Sequence, residues 1–199
     1  LKDSPEGGKS PAFAETDRKI SAGEINEGYD NVLMMGYSHG TYYNDFRKVY
    51  ADNRYNSAAT PGTFGFEVSL ADRLSKAFPD ETTYIVKHAY GGASLNYDWI
   101  SPSSDVDILL PNYDPSNERG WLYRGLVQSL SSAIQILTET TNTIPMVEAF
   151  MWMQGESDAT LESVANVYLS SFNNLIDDFL TTFKDNISYK FAVYDALIC

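Results

Sequence analysis

Seven consecutive residues, Trp152-Met153-Gln154-Gly155-Glu156-Ser157-Asp158, gather a primary amide, two carboxylates and a hydroxyl around one glycine. Such an amide can donate to the oxyanion that develops on an attacked carbonyl, and a carboxylate can brace a neighbour or move a proton. The same spacing also fits a polar connection in which Asp158 caps the helix that follows, because Ala159-Thr160-Leu161 opens an apolar periodicity. Spacing alone does not separate the two readings.

The elements around this stretch decide where it sits. The apolar run Ile144 to Met151 reads as a buried strand ending just before it. Leu161, Val164, Tyr168, Phe172, Leu175 and Phe179 mark one face of a helix of about 25 residues after it. The stretch therefore belongs at the C-terminal end of a strand, where open α/β sheets bind ligands. Upstream, Asn31 to Met35 is a short apolar run before Gly36, and Thr83 to Tyr90 is a second strand closed by Gly91-Gly92. Between them Phe66, Leu70, Leu74 and Phe78 recur every four residues, a helix that Pro79 ends. Leu122, Leu126, Leu130, Ile134 and Leu137 mark another helix, and Tyr189 to Tyr194 a last strand. Strand and helix alternate throughout, which predicts an α/β fold with a mostly parallel sheet. Residues 37–63, rich in Tyr and Asn, and residues 96–119 read as long loops. Residues 1–30 form a polar segment with no sustained period, apart from a helical turn near Ala22 to Asn26; residues 31–199 form the domain.

The wording of three stretches is more specific than their spacing. Trp152 to Asp158 resembles the W-x-Q-G-E-x-D signature of the sialate O-acetylesterase and carbohydrate esterase family 6 group, within the SGNH hydrolases. Phe64-Gly65-Phe66-Glu67, with Leu70-Ala71 after it, looks like the F-G-P-E block of that group, and Tyr90-Gly91-Gly92-Ala93-Ser94-Leu95 looks like its W-G-G-T-S-L block. The resemblance implies a three-layer α/β/α esterase domain that removes O-acetyl groups from a sugar, with no cofactor. It implies a backbone donor at Gly91, with Gly92 as runner-up, a side-chain donor at Gln154, and a supporting or acid role for Glu156. Glu67, Ser94 and Asp158 lie in the matched blocks and are candidates for substrate contact.

The carry-over is partial. Phe66 replaces the proline of F-G-P-E, and neither a G-Q-S-N nor a D-x-x-H word occurs in the chain. Gly36-Tyr37-Ser38-His39-Gly40 has the G-x-S-x-G form of a nucleophile elbow, which makes Ser38 a candidate nucleophile. Two points stand against it. The later histidine, His88, comes too early for the α/β-hydrolase order and sits inside a strand. The 26 residues from Ser38 to Phe64 are also fewer than the resemblance implies between nucleophile and F-G-P-E. The expectation is therefore a domain truncated at both ends, carrying the oxyanion-hole half of a site and inactive by itself. An α/β-hydrolase using Ser38, and a non-catalytic carbohydrate-binding module, are the alternatives.

Composition sets the outer limits. A formal net charge of −13 disfavours nucleic acid and anionic membrane surfaces as partners. One cysteine, Cys199, and two histidines, His39 and His88, offer no disulfide and no metal-binding spacing. No apolar run approaches the ~20 residues of a membrane span, no signal peptide is visible, and no glycine pattern cradles a phosphate.

Overall fold

The computed structural model describes residues 18–19, 28–38, 41–49, 65–106 and 116–196. The fold is mixed α/β, and the chain divides into two compact units, Leu1–Ala89 and Tyr90–Cys199.

In the first unit, strand β1 (Val32–Ser38) lies between β2 (Thr41–Lys48) and β3 (Thr83–Ala89). β1 and β3 run parallel and in register, from Val32 beside Thr83 to Ser38 beside Ala89. β2 returns antiparallel from Ser38 and Thr41, which pair directly. It falls in a region expected to be loop. Asn44, Asp45, Arg47 and Lys48 interrupt any apolar alternation, so the strand carries little of the period-two signal. Helix α1 (Phe66–Ala77) buries Val68 and Ala71 against Val32, Met34 and Val49. Asn31 ties the end of that helix to the sheet. Its amide donates to the Phe78 carbonyl at 3.0 Å, it accepts from the Ser75 hydroxyl at 2.7 Å, and its carbonyl receives the Thr83 N–H at 2.8 Å.

In the second unit, β4 (Val147–Trp152) and β5 (Ile187–Asp195) pair parallel. Helix α2 (Trp121–Thr141) buries Leu122, Leu126, Leu130, Ala133 and Leu137, a face of the three-and-four spacing read from the sequence. Between β4 and β5 the expected long helix is broken into three pieces. A 3₁₀ turn at Asp158–Thr160 and a one-turn helix α3 (Glu162–Ala165) precede helix α4 (Tyr168–Thr182). Leu161 is extended, with φ −133° and ψ 119°, and this interrupts the helical path. The apolar periodicity survives the break because Val164, Phe172, Leu175 and Phe179 still bury on one side. Phe150 and Trp152 of β4 meet that side edge-on or tilted, at 4.9 Å from Phe179 and 5.6 Å from Phe172. Among the described residues, two of the three strand pairings are parallel and one is antiparallel. Among the described residues no helix is long and apolar enough to cross a membrane. The helical turn expected near Ala22 to Asn26 lies outside the described residues.

Candidate active site

Strand β4 delivers Trp152 into the core and then releases the chain into the polar stretch. Trp152 is buried, packed edge-on to Trp99 at 5.2 Å. Its indole N–H donates to the Tyr168 hydroxyl at 2.9 Å. Beyond it, Gly155 has φ +146°, a conformation that a side chain resists, and there the chain turns. Gln154 and Ser157 are half-buried, Glu156 is exposed and Asp158 is fully buried.

Asp158 is the hub. One carboxylate oxygen accepts the Leu95 N–H at 2.8 Å and the Gln154 amide at 2.6 Å. The other accepts the Asn96 N–H at 3.2 Å and the Asn96 amide at 3.0 Å. The expected helix cap is thus not what this carboxylate does. No side-chain capping bond forms at the turn it begins, and its oxygens reach more than sixty residues back along the chain instead. A buried carboxylate needs several donors to offset its lost hydration, and backbone N–H groups supply them without a counter-charge.

The segment it reaches is Tyr90 to Asn96, which follows β3 in sequence. Ser157 donates its hydroxyl to the Gly92 carbonyl at 3.0 Å, and Gln154 donates its amide to the Ala93 carbonyl at 3.0 Å. Both N–H groups of Gln154 are therefore engaged inside the protein. The side chain expected to donate to an oxyanion acts in this structure as a brace. Ser94 is buried, and its N–H and hydroxyl both point to Asp98, at 2.8 Å and 3.2 Å, so it holds the turn instead of facing solvent. Asp98 also accepts the Trp121 indole N–H at 2.8 Å, which fastens the segment to the start of α2.

The glycine pair lies on the outer side. Gly91 and Gly92 are exposed, and their N–H groups find no acceptor among the described residues. Gly92 has φ +77°, while a Cβ there would meet nothing within 4 Å, so the backbone angle alone calls for glycine. Because a trans peptide points its N–H opposite its C=O, the bond from Ser157 to the Gly92 carbonyl also fixes the direction of the Ala93 N–H. Exposed backbone N–H groups without acceptors, on a turn held by hydrogen bonds, are donors of the kind an oxyanion hole uses. Tyr90, beside this turn and 40% exposed, packs edge-on to Trp121 at 5.0 Å.

The remaining expected site residues lie in the first unit. Ser38 ends β1, with Ala89 as its register partner. Glu67 is buried in the first turn of α1, where it accepts from Lys87 at 2.9 Å and the Gly65 N–H at 3.2 Å. Its place there is a partly buried ion pair joining α1 to β3. His88 lies inside β3, and burial lowers its pKa to about 4, which suits a neutral imidazole and not a base working near neutral pH. His39 lies outside the described residues. Among the described residues no group of three His, Cys, Asp or Glu side chains is placed to hold a metal ion.

Tyr168 belongs to this hydrogen-bonded cluster, yet the sequence does not mark it as a functional candidate. Its signal in the sequence is apolar periodicity, which marks it as a core position and conceals the use of its hydroxyl.

The chain belongs to a carbohydrate esterase family, that of the sialic acid-specific acetylesterases, whose model matches residues 35–187. Two solved structures share the fold. One is a protein from Arabidopsis thaliana, 14% identical, with a TM-score of 0.56 over 84% of this chain and 57% of that one. The other is NanS, 17% identical, with a TM-score of 0.58 over 87% of this chain and 59% of NanS. The chain thus spans less than two thirds of the length of either. No curated protein matches the sequence.

Proposed function

We propose that the protein is a carbohydrate O-acetyl esterase, acting through an acetyl-enzyme within an SGNH-type three-layer domain. The observation that carries this reading is the braced turn. Gln154, Ser157 and Asp158 hold residues 92–96 from one side, while the Gly91 and Gly92 N–H groups remain without internal acceptors. Family membership supplies the reaction class.

Ser38 is the proposed nucleophile. One fact favours it: the family match opens at residue 35, three residues before it. Attack of the serine oxygen on the acetyl carbonyl forms a tetrahedral oxyanion. Collapse of that intermediate breaks the bond to the sugar oxygen, which takes up the proton the serine has lost and leaves as a hydroxyl; water then adds its OH to the acetyl group and returns a proton to the serine, releasing acetic acid, which ionises to acetate. Gly91 N–H is the first proposed donor to the oxyanion and Gly92 N–H the second. Glu156, exposed at the edge of the brace, is proposed to support the site from the solvent side. Substrates are acetylated sugars of the sialic acid or xylan type.

The test is acetate release by the protein, in the length its gene encodes, from O-acetylated sialic acid and from acetylated xylo-oligosaccharides. Release from one of the two, at a rate well above the buffer control, is expected. Acetate from neither, by a folded protein, overturns the reading.

A further inference from the structure

We infer that Tyr168 is a positioning residue, which sets the 92–96 turn by locking the Gln154 side chain. On the esterase reading just given, on which this rests, that turn is the oxyanion turn.

The Trp152 indole N–H can only donate, and it donates to the Tyr168 oxygen at 2.9 Å. The single Tyr168 proton must then go elsewhere. It is shared between the Gln154 backbone carbonyl at 2.7 Å and the Gln154 side-chain oxygen at 3.1 Å. With its oxygen held there, the Gln154 amide nitrogen faces the Ala93 carbonyl and the Asp158 carboxylate, both of which only accept. A flipped amide would set oxygen against two acceptors, so the orientation is unique. The chain of bonds therefore runs from Trp152 through Tyr168 and Gln154 to the Ala93 peptide. The Tyr168 proton is available at all ordinary pH values. Burial raises its pKa to about 12, with Asp195, Asp158 and Glu156 adding to the rise against the Trp152 bond.

Asp158 holds Leu95 and Asn96 independently of the tyrosine. Ser157 likewise keeps the Gly92 carbonyl, so without the Tyr168 hydroxyl the segment stays tethered at both ends and loosens between them, at the Ala93 carbonyl. Donors displaced by a fraction of an ångström stabilise an oxyanion less, while ground-state binding of a sugar is little changed.

The experiment pairs Tyr168→Phe with two readouts. In the 199-residue chain, amide hydrogen exchange at Ser94, whose hydrogen-bonded N–H follows the Ala93 carbonyl, is expected to rise roughly tenfold or more, with exchange in α2 unchanged. In the protein at the length its gene encodes, kcat on an acetylated sugar is expected to fall roughly 10–100-fold with KM within about twofold. Tyr168→Phe leaves the indole N–H of Trp152 without its partner, so a Trp152→Phe/Tyr168→Phe double variant serves as the control for folding. It removes donor and acceptor together, and it is expected to keep the fast exchange and the low kcat. Unchanged exchange at Ser94 in Tyr168→Phe overturns the inference whatever the kinetics, as does fast exchange with wild-type kcat in an active protein. Wild-type exchange restored in the double variant also overturns it. A wild-type protein without esterase activity sinks the functional reading instead, and the exchange result still decides the role of Tyr168.

Discussion

Asp158 shows how one side chain changes meaning between sequence and structure. Its place before a helical periodicity argues for an N-cap, worth roughly 0.5–2 kcal/mol. The structure gives its oxygens four N–H donors from Leu95, Asn96 and Gln154 instead. Asp158→Ala leaves several buried donors unpaired, each costing about 1–3 kcal/mol. A loss of roughly 3 kcal/mol or more is therefore expected in urea unfolding, and a loss under about 1 kcal/mol would restore the capping role. His88 makes a second residue-scale prediction. Its folded pKa of about 4 lies below the ordinary 6.5, so the unfolded chain binds a proton that the folded one refuses. Its contribution to stability is complete above pH 6.5 and is lost as pH falls from 6.5 toward 4. Subtracting the unfolding free energies of His88→Phe from those of the wild type, pH by pH, should leave a slope in that window only. A flat difference would mean that burial does not hold the imidazole neutral.

Elements were legible where periodicity was strong and backbone chemistry was ordinary. Helices α1 and α2, strands β1 and β3, and the order of the rest follow from apolar spacing and from Pro79 and Gly91-Gly92. Strand β2 escaped because polar residues fill it, and its pairing with β1 is a property of the hairpin and not of either strand alone. The break before α4 escaped for the opposite reason. Val164, Phe172 and Leu175 bury on one side whether or not the helix is continuous, so the period cannot report the extended Leu161. The turn after β3 carries the prediction that belongs at this scale. At Gly92 a methyl group meets open space, and the cost of Gly92→Ala comes from φ +77° alone. About 1 kcal/mol of stability should be lost, together with a fall in kcat as the turn relaxes toward negative φ. Equal melting curves and equal kcat for the two proteins would show that the turn tolerates a side chain, and that its angle does not matter to the site.

At the scale of the whole molecule, the three ordered sequence blocks and the family match over residues 35–187 agree on a carbohydrate esterase family. What the blocks conveyed well was the pairing of the Tyr90-Gly91-Gly92 turn with the Gln154 to Asp158 stretch, which the structure joins by hydrogen bonds from Gln154, Ser157 and Asp158. What they did not convey is the direction of each bond, because a motif names a side chain without naming its partner. Gln154 reads as a donor to substrate, yet both its N–H groups are engaged by Ala93 and Asp158. Ser38, whose spacing to Phe64 is short for the resemblance, ends β1 and lies inside the matched span. The proposed function takes Ser38 as the attacking group in an acetyl transfer to water. The direct measurement is acetate release from an O-acetylated sugar by the wild type and by Ser38→Ala, each in the length its gene encodes and each shown to be folded. The account predicts steady release by the wild type and a loss of at least about 10³-fold in Ser38→Ala, the scale seen when a covalent nucleophile is removed. Undiminished release by Ser38→Ala would contradict it.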